Sequence, residues 1–156
     1  MFERLTLEGF QAGLSWITIL KRRESFREAF LSFDFNKISA MGAADVEQLM
    51  LNEGIIRNRA KIISTIKNAQ TVLRLQNQKQ SISEIVWSFA IEEHLRTADP
   101  SLFEFRTTSP ESEALSKHLK ELGFGFIGST TMYALMQATG FVNDHAPGCF
   151  RREELS

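Results

Sequence analysis

The stretch LSKHLKELGFGFIGSTTMYALMQA, residues 115–138, decides how this chain folds. Leu115, His118, Leu119 and Leu122 recur at three- and four-residue steps, the period of one helix face. Gly123, Gly125 and Gly128 then interrupt the pattern, and Met132, Leu135 and Met136 resume it as far as Gly140. Two helices joined by a glycine-bearing turn follow from this. Glycine is needed where a backbone takes positive φ or approaches another surface closely. The second helix opens on Ser129, Thr130 and Thr131, where backbone N–H groups are left without intrahelical acceptors and suit an anion. Gly125, Gly128, Ser129 and Thr130 are therefore a candidate grip on a phosphodiester oxygen. A hairpin of this kind can equally serve only to pack two helices, and spacing alone leaves both readings open.

The same helical period extends outward. Upstream of the hairpin, Ser109-Pro110-Glu111 reads as an N-cap, a first-turn proline and a first-turn acid, and Ala114 joins Leu115 on the face that follows. Residues 91–108 carry little pattern and read as a surface connection. Ile82, Ile85, Val86 and Phe89 mark a short helix; Ile62, Ile66, Ala69 and Leu73 mark a longer one. Val46, Leu49 and Met50 give another, and Phe26, Ala29, Phe30 and Phe33 continue the steps. Nearer the start, Ser15 can cap a helix through Trp16, Ile17, Ile19 and Leu20 that ends in Lys21-Arg22-Arg23, where the helix dipole favours cations. Phe2, Leu5 and Glu8 open the first helical series. No alternating strand pattern and no repeat interrupts this reading, so the fold class is all-α.

At 156 residues the chain is one domain and can bury a single core. Thirteen Phe against one Tyr imply a core built substantially on aromatic packing. No run approaches the roughly 20 apolar residues that span a bilayer, so no membrane partner is expected. A lone cysteine excludes an intramolecular disulfide and makes a cytoplasmic setting the expectation. The net charge of −1 argues mildly against nucleic acid, but binding depends on how Lys and Arg are distributed. They cluster at Lys21-Arg22-Arg23, at residues 57–61 and around Lys117 and Lys120, each cluster small enough to be a solvated helix face.

Several strings, in order, resemble the DNA-3-methyladenine glycosylase I family of the helix-hairpin-helix superfamily. They are Leu7-Glu8-Gly9 with Gln11-Ala12-Gly13-Leu14-Ser15-Trp16, Gly54-Ile55-Ile56-Arg57-Asn58, and Val86-Trp87-Ser88-Phe89. The hairpin glycines, Met136-Gln137-Ala138, and Val142-Asn143-Asp144-His145 ahead of Cys149 complete the set. The resemblance implies a single helical glycosylase-like domain over 1–150, with the hairpin at about 115–138 and a polar tail at 151–156. It also implies an N-terminally truncated form of the fold. Met1 falls inside the family's first large helix, and the family's preceding segment supplies a Tyr to the base pocket and two ligands to a zinc site.

By that resemblance the chain hydrolyses the N-glycosidic bond of 3-methyladenine in alkylated double-stranded DNA, acting as a monomer with no protein partner implied. The alternative is a non-catalytic helix-hairpin-helix module that grips DNA by its phosphates after losing activity with the N-terminal segment. Trp16 matches the family's stacking platform and Glu8 its catalytic, base-binding carboxylate. Judged by their residue types alone, Trp16 would be a core aromatic and Glu8 a solvated helix acid. Asn143 stands where many helix-hairpin-helix glycosylases carry a catalytic Asp, and an amide cannot act as a general base. The neighbouring Asp144 points elsewhere along the chain and is assigned no catalytic role. His145 and Cys149 are four apart, a workable spacing for two ligands of one metal, or for two bystanders. In the family this pair completes a structural zinc site. With the other two ligands absent from this sequence, weak zinc binding or none is expected. Of the other histidines, His118 reads as packed and His94 falls in the patternless connection.

Overall fold

The computed structural model describes residues 1–90 and 106–154, and among these every regular element is helical. The elements are α1 (Phe2–Gln11), α2 (Trp16–Leu20), α3 (Arg23–Ala29), a 3-10 turn (Leu31–Phe33), α4 (Phe35–Ser39) and α5 (Ala43–Leu51). They are followed by α6 (Arg59–Asn77), α7 (Ile82–Trp87), α8 (Pro110–Glu121), α9 (Ser129–Thr139) and α10 (Phe150–Glu154). The long α6 is the spine on which α4 and α5 pack. On the other side α8 pairs with α9, and α1 wedges between α9 and α6.

Local chemistry explains the boundaries that matter for the site. Ser109 accepts from Ser112 N at 3.2 Å while Ser112 Oγ accepts from Ser109 N at 2.8 Å, and Pro110 occupies the first turn, so α8 starts where the sequence places it. Asn58 Oδ1 accepts from Lys61 N at 3.1 Å and starts α6. The aromatic core forms as expected. Phe10 meets Phe26 edge-on at 4.7 Å between centroids, and Phe26, Phe30 and Phe33 continue as a stack. Because Phe10 is fully buried two residues after Glu8, this cluster fixes the C-terminal half of α1.

Four details depart from the sequence reading. The Phe26–Phe33 series is broken: Leu31, Ser32 and Phe33 all have φ between 50° and 57°, and the kink swings Phe33 onto Phe30 at 6.0 Å. The basic run 21–23 is shared between two helices: Lys21 caps the end of α2, as expected, but Arg22 precedes and Arg23 opens α3. Ala114 lies on the exposed side of α8, while Ser112 and Ser116 are buried with Leu115 and Leu119. Residues 151–154 of the polar tail are helical, as part of α10, with an Arg151–Glu154 ion pair at 2.6 Å and the Arg152 carbonyl accepting from Asn143 Nδ2 at 3.0 Å. Apart from residues 106–108, the connection expected over 91–108 lies outside the described residues, as does His94. No helix among the described residues is long and apolar enough to cross a membrane.

Candidate active site

Glu8, on the C-terminal half of α1, and Trp16, at the first position of α2, line one pocket of about 350 Å³. Gln11 from α1 and Ala134, Gln137 and Ala138 from α9 complete the lining. That volume lies at the small end of ligand pockets, which run roughly 300–1,000 Å³. The two residues are joined by a short loop whose form is fixed from both ends. Gln11 Nε2 donates to Leu14 O at 2.9 Å, and Leu14 N donates to Gln11 O at 2.7 Å. From beneath, Lys61 Nζ donates to Phe10 O at 2.9 Å and to Ala12 O at 2.7 Å, capping the C-terminal end of α1. Ser15 precedes α2 in extended conformation but gives it no side-chain cap; its hydroxyl pairs with Thr18 Oγ1 at 2.7 Å.

The electrostatics of the pocket centre on Glu8. Only 3% exposed, and with no hydrogen-bond partner among the described residues, its carboxyl is pushed up to about 7 by burial, against a smaller opposing pull from Arg4 one turn earlier. Such a group gains strongly from any cation or hydrogen-bond donor entering the pocket. Trp16 is half-buried, in contact with the core while its indole forms part of the wall. It is therefore both a core residue and a pocket residue.

The hairpin stands beside this pocket, and α9 belongs to both. Gly123 turns at φ 99° after α8, and Arg74 holds the Leu122 carbonyl. Ser116 Oγ donates to Ile127 O at 2.7 Å across the turn. Gly125 departs from its expected role. Its N–H donates to Asn68 Oδ1 at 2.8 Å and is not available to a phosphate, and a methyl group there would stand 2.4 Å from Ser64 Oγ. Gly125 is needed for close approach to α6. Gly128, Ser129 and Thr130 are placed differently. Gly128 and Thr130 are exposed, and the N–H groups of Ser129, Thr130 and Thr131 have no acceptor among the described residues before the first intrahelical bond, from Met132 N to Gly128 O. A cleft of about 360 Å³ runs beside this helix start, lined by Lys117, Lys120 and Ser129 together with Ser116, Glu113 and Glu121. Phe126 projects from the turn, 40% exposed, with its carbonyl against Gly9 and its ring 5.8 Å from Lys61 Nζ.

The remaining candidates separate. Asn143 is buried and structural, bonded to the Arg152 carbonyl. Asp144 accepts from Tyr133 and from Gln137 Nε2, the latter at 3.2 Å. His118 is half-buried with its ring 5.7 Å from Phe89. His145 Nδ1 and Cys149 Sγ lie 3.8 Å apart, close to the roughly 3.6 Å separating two ligands of one tetrahedral zinc. Among the described residues no group of three or more His, Cys, Asp or Glu is assembled that could hold a metal ion. The pair thus fits two corners of a site, and the described residues do not close it.

A helical domain in which the second helix of a glycine hairpin also walls a small polar-aromatic pocket defines the class: a helix-hairpin-helix protein of the DNA glycosylase type. The family model described as methyladenine glycosylase matches residues 1–152. A DNA-3-methyladenine glycosylase of Haemophilus influenzae is 48% identical over 149 residues, covering 96% of this chain and 80% of the relative. DNA-3-methyladenine glycosylase 1 of Escherichia coli is 47% identical over the same shares. A crystal structure of 3-methyladenine DNA glycosylase I superposes with a TM-score of 0.88 at 48% identity, over 96% of this chain and 82% of that one. The chain belongs to the methyladenine glycosylase family.

Sequence reasoning missed Gln11, Ala134 and Gln137 as pocket lining, although Gln11 and Gln137 stand inside strings quoted for the resemblance. It also counted Lys61 among surface cations. The structure buries it, and burial pushes its ammonium down. The available signal was its position beside Ile62 on the apolar face of α6.

Proposed function

We propose that this chain hydrolyses the N-glycosidic bond of 3-methyladenine in alkylated duplex DNA, receiving the extruded base between Trp16 and Glu8. The observation that carries the proposal is the convergence of those two side chains on one pocket beside the hairpin, in a chain of this family.

Methylation at N3 makes the purine nucleoside cationic, so the leaving group is already activated. The C1′–N bond breaks with its electron pair going to the purine, which departs neutral. The sugar carries the positive charge until water adds at C1′ and loses a proton to solvent. The protein must extrude the base, recognise its charge and stabilise the developing cation. Extrusion costs a few kcal/mol, less for a damaged base that pairs poorly. Trp16 offers a face for stacking, where a desolvated cation–π contact contributes roughly 2 kcal/mol. Glu8, ionised, accepts a hydrogen bond from the base and lowers the energy of positive charge in a dry pocket. No general base is required of Asn143, which is occupied elsewhere.

Duplex DNA is held at the start of α9, where the amides from Ser129 onward and the side chains of Lys117 and Lys120 suit a phosphate. From Ser129 to the pocket-lining stretch 134–138 the helix rises about 8–13 Å, so one rigid element links backbone grip to base pocket. We assign zinc no chemical step; His145 and Cys149 would supply two ligands of a structural site. A monomer acting in the cytoplasm fits this reading.

The test is release of 3-methyladenine from methylated duplex DNA under single-turnover conditions. Salt-sensitive duplex binding without release would instead favour a non-catalytic DNA-holding module.

A further inference from the structure

Each polar side chain that lines the pocket, the Trp16 indole apart, has an acceptor left over. Glu8 is a carboxylate with no partner among the described residues. Gln11 commits its amide nitrogen to the Leu14 carbonyl at 2.9 Å. Gln137 commits its own to Asp144 Oδ2 at 3.2 Å. A backbone carbonyl and a carboxylate can only accept, so in each glutamine chemistry decides which end of the amide is nitrogen, and Oε1 is the end left over. Neither Oε1 enters a hydrogen bond among the described residues. Asp144 is itself set by the turn after α9, where Gly140 at φ 78° brings the chain back over the helix and Tyr133 donates to the same carboxylate oxygen.

We infer that Gln137, oriented by Asp144, is a specificity-determining acceptor that selects a purine bearing an amino group over one bearing a carbonyl at the same edge. The inference rests on the glycosylase reading and deepens it. An amino group finds acceptors on both walls, Glu8 and Gln11 on α1 and Gln137 on α9. A carbonyl placed there faces oxygen on both sides and leaves the buried Glu8 carboxylate without a donor, the kind of loss that lets a polar pocket discriminate. Asp144 is a positioning residue in this scheme. With Asp144→Asn the partner can donate, the Gln137 amide can rotate to present nitrogen, and the carbonyl-bearing base is no longer refused.

The test compares binding of two free bases to the whole chain by titration calorimetry, at a pH well above the value of about 7 to which Glu8 is pushed, so that its carboxylate only accepts. The bases are 3-methyladenine, and 3-methylhypoxanthine, which carries oxygen in place of the amino group together with the ring N–H that this requires. The unmodified protein is expected to prefer 3-methyladenine by roughly tenfold or more, the worth of about one buried hydrogen bond. Gln137→Ala and Asp144→Asn each reduce that preference severalfold, and Asp144→Asn has no further effect on it in the Gln137→Ala background. A merely structural role for Asp144 would weaken both bases alike and leave the ratio untouched. An unchanged ratio in Gln137→Ala, which alters an exposed side chain and leaves the fold intact, overturns the inference while 3-methyladenine binding keeps the pocket assignment standing. No binding of 3-methyladenine by the unmodified protein would remove the pocket assignment and the inference together.

Discussion

Asn68 holds Gly125 by two reciprocal hydrogen bonds, from Gly125 N to Asn68 Oδ1 at 2.8 Å and from Asn68 Nδ2 to Gly125 O at 3.1 Å. A side chain of α6 thereby replaces the partner that a strand would give this residue, and the hairpin turn is locked to the spine of the domain. The neighbouring carbonyl, of Phe126, lies against Gly9, next in sequence to Glu8. The hairpin turn and the helix that carries the pocket carboxylate are thus in direct contact.

Asn68→Ala leaves the Gly125 amide and carbonyl without partners, which costs about 1–3 kcal/mol. Thermal unfolding is expected to show a midpoint lower by several degrees. Gly125→Ala is expected to be at least as damaging, since its methyl group collides with Ser64 Oγ. Adding Ser64→Ala should recover most of the loss, because the Ser64 Cβ lies 3.5 Å from the new methyl. Failure of the second substitution to rescue the first would mean that backbone conformation, not the collision, selects glycine here.

The pH dependence follows from Glu8. Its native carboxyl titrates at about 7, against 4.5 when unperturbed, so between those values the folded state holds a proton that the unfolded state has released. Stability contributed through this group is therefore present at low pH and falls as pH rises from about 4.5 to about 7. Activity runs the other way, because the ionised form is the one that accepts from a cationic base. Excision measured as kcat/KM is expected to rise with pH to a plateau with its midpoint near 7. Glu8→Gln should flatten both curves, and raise the unfolding midpoint at pH 8 relative to the unmodified chain.

For zinc, His145 and Cys149 offer two ligands at 3.8 Å. Two-ligand sites hold zinc poorly compared with the four-ligand structural kind. Competition against a chromogenic chelator is expected to show weak uptake that Cys149→Ser abolishes. Tight one-to-one binding would require a ligand set that the described residues do not assemble.

The helical class, the hairpin boundaries and the Phe core were legible because each rests on local signals: a 3.6-residue period, a Ser-Pro cap, glycines at a turn. That Glu8 and Trp16 would share one pocket was expected only through the resemblance, since residue type and spacing made them an ordinary acid and a core ring. What stayed hidden depends on contacts between distant segments. That Lys61 turns inward to the α1 carbonyls, that Gly125 spends its amide on Asn68, and that Gln137 faces Glu8's helix are all consequences of how α6 and α9 pack on α1. The α10 helix was missed for a different reason. Arg-Arg-Glu-Glu reads as a polar tail, yet its charges at i,i+3 spacing also stabilise a solvated helix turn.

The most direct test of the pocket is single-turnover excision of 3-methyladenine by the unmodified chain, Glu8→Gln and Trp16→Ala, each first shown to be folded. Both substitutions are expected to slow base release at least about tenfold, a barrier increase of about 1.4 kcal/mol. Rates equal to that of the unmodified chain in both variants would contradict the assignment of this pocket as the place where the base is received.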